Sequence, residues 1–410
     1  MRLLILHARR ALPRSHRLER AAFAAVAAAV ATLPLDEGPT FLFAVPLGAA
    51  IVLNLARWLR TGSWPFRHCV LDRPVVLLAV LATASLLWAE SPHHTRMLLW
   101  RDGGRWVAIL YLVLTHASTV GRLRTLCFAF ATGAVTCSLV GVVERLYYLH
   151  VEQYRVFGTF GHPNHCANFL SASLILALAL PSTGRKGILW RFLLIPPLLF
   201  TLFFTLSRGA WIGTATGLGV LGLLRNRRLL LGGAAVLVGV VLLAFLLPST
   251  YIGERIRGLV MPSRFIQALH HRPEIWEGSW RLIKERPVLG HGYGHKNFHH
   301  AWKRLPDRPD ALYGAAHNTP LHILFELGIT GLLLHLWIYG RILLRLIAGY
   351  RTADDAMVRS LLASVLAISA GWLLQSMTME HILLEQMMVI IGTLTGLGLA
   401  AANLSDGTAG

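Results

Sequence analysis

Where the chain leaves its longest polar stretch it reads Ala315-Ala316-His317-Asn318-Thr319-Pro320-Leu321, and polar residues run straight into an apolar helix. Asn318 is a residue type that caps a helix by accepting from its first N–H groups. Pro320 suits the first turn, where an absent N–H costs nothing. The exposed N–H groups and the macrodipole of such a terminus favour anions. A neutral imidazole at that mouth, His317, has the chemistry to take a proton from an attacking hydroxyl. With 19 histidines in the chain, residue type alone selects none of them. Position sets His317 apart, whereas His270, His322 and His335 read as packing or surface residues.

Arg208 stands in Thr205-Leu206-Ser207-Arg208-Gly209, at the tip of a helix between two apolar runs with no real loop around it. A charge there is costly unless it faces a polar cavity or a partner. Two readings stay open: snorkelling to lipid headgroups, or recognition of an anionic ligand. Arginine suits phosphate because its planar fork donates in a bidentate geometry and stays charged. The turn Phe157-Gly158-Thr159-Phe160-Gly161-His162-Pro163-Asn164-His165 also has two readings. Asn164 either caps the next helix or lines the ligand site. Gly290, Gly292 and Gly294 have neither Walker nor dinucleotide spacing. They are expected to form a turn that lets backbone approach the site, with no nucleotide bound.

These residues need a scaffold, and composition defines it. Of 410 residues 55% are hydrophobic and 14% charged, against about 25% charged in soluble domains. Apolar runs of roughly 15–25 residues imply an all-α polytopic membrane protein. The four cysteines lack metal-ligand spacing and read as packing residues. The N-terminal apolar run has no cleavage site after it and is expected to be a retained first helix.

About twelve transmembrane helices are expected. Residues 1–247 supply spans 1–9, residues 248–317 one large outer loop with short helices (periplasmic by the resemblance given below), and residues 318–410 spans 10–12. Pro273 should divide the helical pattern of Pro262–Arg286 into two short helices. Basic clusters such as Arg57, Arg60, Arg67 and Arg73, then Arg122 and Arg124, fall on one side at nearly every turn. By the positive-inside rule that side and both termini are cytoplasmic. The formal charge of +19 is thereby partly explained, without nucleic acid. The remainder lies on the predicted outer face: Arg96, Arg101, Arg155, Arg208, Arg255, Arg257, Arg264, Arg272 and Arg281.

Four patterns, in this order and topology, carry a family resemblance over roughly Val156 to Leu334. They are Gly158-Thr159-Phe160 through Asn164; Thr205-Leu206-Ser207-Arg208-Gly209-Ala210-Trp211; Arg272-Pro273-Glu274-Ile275-Trp276 leading to Pro287-Val288-Leu289-Gly290-His291-Gly292; and His317-Asn318 through Glu326-Leu327-Gly328-Ile329-Thr330-Gly331-Leu332. Together they resemble the O-antigen ligase and polymerase superfamily. The resemblance implies a glycosyltransferase of the multi-span C type. Its donor would be an undecaprenyl-diphosphate-linked glycan on the periplasmic side of the bacterial inner membrane. In the ligases the acceptor is a sugar hydroxyl of lipid A-core.

The family's loop histidine maps to His317, its mid-chain helix-end arginine to Arg208, and its loop arginine before the Ile-Trp pair to Arg272. The expected site therefore has His317 as base and Arg208 and Arg272 on the diphosphate. Asn164, Asn318 and Arg264 are further substrate-binding candidates. No cofactor and no metal are expected, because two arginines neutralise a good leaving group. Histidines around Gly290 depart from the family's usual text, so nothing carries over to His291 or His295. An O-antigen polymerase or a protein O-oligosaccharyltransferase shares the donor chemistry. A transporter is the non-enzyme alternative, although no internal repeat supports it.

Overall fold

The computed structural model describes residues 2–35, 41–181, 184–225, 251–260, 272–306, 314–379 and 385–407, with isolated positions between 227 and 246. Every element among the described residues is a helix, and none is a strand. Among the described residues six helices are long and apolar enough to cross a membrane: His16–Leu35, Phe41–Thr61, Val120–Tyr147, Thr319–Thr352, Ala356–Gln375 and Gln386–Ser405. Leu189–Phe204 is a shorter apolar helix. The protein is thus a multi-pass α-helical membrane protein. Other expected spans correspond to shorter helices such as Asp72–Ala84, Arg105–His116 and Pro163–Ala179. Most of the expected span Leu229–Leu247 lies outside the described residues.

In chain order the helices used below are α1 (Arg2–Thr32), α2 (Phe41–Thr61), α3 (Asp72–Ala84), α4 (Pro92–Leu98), α5 (Arg105–His116), α6 (Val120–Tyr147), α7 (Pro163–Ala179), α8 (Gly184–Phe204), α9 (Arg208–Arg225), α10 (Tyr251–Val260), α11 (Arg272–Glu285), α12 (Lys296–Trp302), α13 (Thr319–Thr352), α14 (Ala356–Ser376) and α15 (Glu385–Ser405). A π-helical segment, Leu99–Gly104, joins α4 to α5. The short span expected at Arg105 is therefore the end of a longer helical run.

Side-chain chemistry sets the helix starts. The Thr119 hydroxyl caps α6 by accepting from Arg122 N at 3.2 Å. Asp355 caps α14 by accepting from Met357 N and Val358 N. Asn318 caps α13 by accepting from Leu321 N at 3.0 Å, and Pro320 lies in the first turn. Each satisfies N–H groups that the helix itself leaves unmet.

Small residues let the site-bearing helices meet closely. A Cβ on Gly213 of α9 would lie 3.0 Å from the Gly371 carbonyl of α14, and one on Gly217 3.0 Å from the Ala367 carbonyl. In lipid, such close backbone approach favours association through packing, because burial of apolar surface there gains little. Two apolar cores result. The larger runs through the helix bundle. The smaller joins Ile275, Leu282, Ile283, Phe298, Ala301, Trp302, Ala316 and Phe325, and fastens the polar module to the start of α13.

The attachment is completed where α13 breaks. Gly328 adopts φ 63°, ψ −164° inside this helix, a conformation glycine reaches without a Cβ penalty. The helix ladder is interrupted there, and the turn after α11 takes up the interrupted groups. His291 N donates to Phe325 O at 2.8 Å, Gly292 N to Glu326 O at 2.9 Å, and Ile329 N to Pro287 O at 2.9 Å. Irregular backbone is thereby kept bonded, as membrane-protein interiors require.

Candidate functional site

The site begins with a carboxylate at the end of α6. Glu144 accepts from Tyr154 Oη at 2.6 Å and from the N–H groups of Phe157 and Gly158 at 3.1 and 2.8 Å. Arg145 donates to the Tyr148 and Val151 carbonyls. Together they fold residues 148–158 back over the helix end. Gly158, at φ +62°, sits against the sulfurs of Cys137 and Cys166, which lie 3.7 Å apart.

Arg155 projects from that fold. Its Nε donates to Thr205 O at 2.9 Å and its Nη2 to Asn164 Oδ1 at 2.7 Å. It ties the start of α7 to the peptide just before Ser207-Arg208. The cap of α7 is His162, whose Nδ1 accepts from Asn164 N at 3.2 Å. The capping role expected of Asn164 thus belongs to His162. The Asn164 side chain instead turns to Arg155.

Arg208 opens α9 directly after Leu206, which has φ 52°. A bulky non-glycine residue in this region is a true outlier. The Thr205 hydroxyl donates to Leu202 O, and the Trp211 indole donates to the same carbonyl. Trp211 stacks on Phe203 at 5.5 Å. The corner between α8 and α9 is therefore held from both sides. At Gly209 an added Cβ would contact Gln375 Cγ and Met379 Sδ, each at 3.5 Å, so Arg208 lies beside the end of α14.

The start of α13 reaches the same place. Asn318 Nδ2 donates to Met377 O at 3.0 Å, and the Thr319 hydroxyl donates to Met379 O at 2.7 Å. The turn Met377–Met379 therefore has Gly209 packed against it and Asn318-Thr319 bonded to it. Arg208 and His317, each one residue away from these contacts, flank one turn. His317 has φ 49° and is half-buried.

Behind His317 lies a buried pair. Ala316 N donates to His322 Nδ1 at 3.2 Å, and His322 Nε2 is 3.1 Å from Glu326 Oε1. Since Nδ1 accepts, the ring proton is on Nε2 and donates to the carboxylate. Sequence reasoning gave His322 only a packing role. The usable signal was the His–Glu spacing of four along a helix that starts at the site.

Arg272 is the first residue of α11. One turn later Ile275 shares the smaller core with Ala316 and Phe325. Arg272 and His317 are thus carried by one packed module. Arg264 lies outside the described residues, as does the first of the two short helices expected around Pro273. Pro273 occupies the first turn of α11.

The glycine turn does not face a ligand. A Cβ on Gly290 would collide with the Glu326 carbonyl, one on Gly292 would lie 2.5 Å from Ala89 Cβ, and one on Gly294 2.6 Å from Leu98 Cδ1. The expected approach of backbone to the site is instead an approach of backbone to α13 and to the α3–α4 connection. His291, fully buried, stacks on Phe325 at 4.6 Å. Its Nδ1 is 2.9 Å from Glu90 Oε1 and its Nε2 2.8 Å from Leu282 O. Arg304 closes the network with a bidentate contact to Glu90. Burial alone would raise the Glu90 carboxyl, but Arg304 and His291 outweigh it and hold it below the usual range. Among the described residues no three His, Cys, Asp or Glu side chains converge as metal ligands.

Residues 192–336 match the family model described as O-antigen ligase. That segment holds Arg208, Arg272 and His317 but not Asn164. An O-antigen ligase of Pseudomonas aeruginosa is 29% identical over 260 residues, which cover 62% of this chain and 59% of that protein. An O-antigen ligase of Salmonella typhimurium is 31% identical over 156 residues, covering 35% of this chain and 37% of that protein. The matched portions span less than two thirds of either relative.

Proposed function

We propose, from the premise that the chain is a member of the O-antigen ligase family through residues 192–336, that it transfers O-antigen from undecaprenyl diphosphate to a sugar hydroxyl of lipid A-core. The observation that carries this reading is the turn Met377–Met379, with Gly209 against it and Asn318-Thr319 bonded to it. In this reading an arginine fork and an imidazole act across that turn, the pairing needed to displace a diphosphate with a hydroxyl.

In this scheme Arg208 and Arg272 grip the diphosphate and stabilise the charge that grows on it as it leaves. His317 takes the proton of the acceptor hydroxyl. That oxygen attacks the anomeric carbon from the face opposite the bond to phosphate. The new C–O bond forms as the old one breaks, the electron pair leaves with undecaprenyl diphosphate, and configuration inverts. No metal takes part. Arg155 holds Asn164 and the Thr205 carbonyl in register with Arg208. The remaining architecture belongs to the same reading: twelve spans of the C type, both termini cytoplasmic, and the 248–317 loop facing the periplasm of the inner membrane.

Reconstituted transfer tests it. With lipid-linked glycan and lipid A-core as substrates, His317→Ala should lower turnover by roughly 10²–10⁴-fold while donor binding persists. Wild-type turnover in that variant would remove His317 as the base. In a deletion strain, uncapped core with accumulating lipid-linked polymer is the expected ladder. A single repeat unit on the core would instead assign polymerase activity.

A further inference from the structure

A second polar concavity lies where α3 packs on α13, remote from the candidate site. A cavity of about 280 Å³ is lined by Val70, Asp72, Arg73 and Pro74 around the start of α3 and by Trp337 and Arg341 on α13. Trp337 and Arg341 stand one turn apart, so both reach the cavity from one face of that helix. Arg341 Nε donates to Val70 O at 3.4 Å, which leaves both of its Nη groups for a ligand. Arg73 is exposed and makes no ion pair with a described residue. The carboxylate of the lining, Asp72, is already engaged. Its Oδ1 accepts from Tyr111 Oη at 2.7 Å and from Cys69 N at 3.0 Å, and its Oδ2 lies 2.7 Å from His68 Nδ1. The two arginines therefore line the cavity with no uncommitted carboxylate beside them. α3 itself opens without a side-chain cap, and an uncapped helix start adds to the preference for an anion.

Its depth in the membrane follows from α13. Thr319 at the candidate site and Arg341 at the cavity stand on that one helix. Their separation in sequence corresponds to about 33 Å of continuous helix at 1.5 Å per residue, an upper bound because of the break at Gly328. This is close to the ~30 Å of a bilayer's hydrocarbon core. The cavity thus lies at the headgroup level opposite the candidate site. Toward the membrane core from it, Val76 and Val80 of α3 and Leu333 of α13 are exposed apolar residues. Trp337 both lines the cavity and is exposed. Tryptophan at this level marks the headgroup zone, and basic pockets between helices there take anionic headgroups.

We propose that this cavity binds the phosphate of an anionic glycerophospholipid. The forks of Arg73 and Arg341 receive the phosphate oxygens. Trp337 meets the glycerol and the first acyl carbons, and the chains run on along the apolar surface of Val76, Val80 and Leu333. A zwitterionic headgroup would bring an ammonium that finds no uncommitted carboxylate here. A soluble phosphate would use the arginines but would leave the apolar side of the cavity, Val70, Pro74 and Trp337, uncovered. The inference rests on this cavity and is independent of the transfer reaction.

Arginine modification by phenylglyoxal, mapped by peptide mass spectrometry on the full chain in nanodiscs, tests it. Exchanging phosphatidylcholine for phosphatidylglycerol should slow modification of Arg73 and Arg341 about fivefold. Arg351, exposed further along α13, should be unaffected. Inorganic phosphate added to phosphatidylcholine discs should give no protection. Trp337→Ala should lose most of the protection by phosphatidylglycerol. Equal slowing at Arg351, no slowing at Arg73 and Arg341, undiminished protection in Trp337→Ala, or protection by inorganic phosphate alone would each overturn the lipid assignment.

Discussion

His317 adopts a left-handed backbone, at φ 49°, that costs a side-chain-bearing residue on the order of 1 kcal/mol. Both neighbours are anchored. Ala316 donates to His322, and Asn318 caps α13 while bonding Met377 O. The backbone of His317 is therefore fixed from both sides, and in the proposed scheme His322 is a positioning residue. The two halves of its role can be separated. Asparagine at 322 keeps an oxygen near the Nδ1 position and so an acceptor for Ala316 N. Glutamine instead keeps an amide donor near Nε2, for Glu326. If the Ala316 bond is what matters, His322→Asn should retain most transfer activity. His322→Gln should lose about tenfold or more in kcat, the equivalent of one lost buried hydrogen bond, with donor KM little changed. Equal losses in both variants would indicate that packing against Phe298, whose ring lies 5.4 Å away, is the real contribution.

At the scale of elements, the polar module is held by contacts between remote segments. Gly290 and Gly328 are both at positive φ, and each meets backbone of the other's segment where a Cβ would go. Gly290→Ala combines an unfavourable φ with a backbone collision. It should destabilise the module by about 1–3 kcal/mol, read as faster hydrogen exchange over residues 286–298. Glu90 supplies a second clamp with a defined pH sense. Its folded carboxyl is held below the ordinary value by Arg304 and His291 against the opposing effect of burial. The clamp is therefore complete above the unfolded carboxylate pKa of about 4.3 and is lost as pH falls through the lower folded value. Exchange of residues 286–298 should accelerate below about pH 4 in the wild type. Glu90→Gln should exchange faster already at neutral pH, with that acid step absent. What the sequence made legible here is local. Asn318 and Pro320 announce the start of α13, and Pro273 that of α11, because a cap or a ring acts within one turn. Asn164 misled because the helix starts two residues earlier, with His162 as the cap accepting from Asn164 N. The Glu90–His291 and Arg155–Thr205 contacts were illegible, since only the packed fold brings such distant positions together. The same limit hid the role of the glycine turn, whose target is another backbone segment.

For the whole molecule, the arrangement of ends decides what the protein can do. The end of α6, the start of α7, the α8–α9 corner, the end of α14 and the start of α13 are joined through Arg155, Gly209 and Asn318. The start of α6 and the ends of α2 and α5 lie at the other end of α6, about 33 Å along that helix from Glu144. Arg57 and Arg60 at the end of α2, Arg67 in the connection and Arg73 at the start of α3 lie at that second end, which the proposed topology assigns to the cytoplasm. This polarity can be read directly. In a chain cleared of its four cysteines, Glu152→Cys and Ser63→Cys would place single thiols at exposed positions near opposite ends of the bundle. A membrane-impermeant maleimide should label Glu152→Cys in intact spheroplasts and Ser63→Cys only after permeabilisation. The reverse pattern would put Arg208 and His317 in the cytoplasm, where a periplasmic lipid-linked glycan never arrives. The transfer scheme would then fail however well its residues are placed, because a diphosphate-gripping surface is useful only in the leaflet where its donor waits.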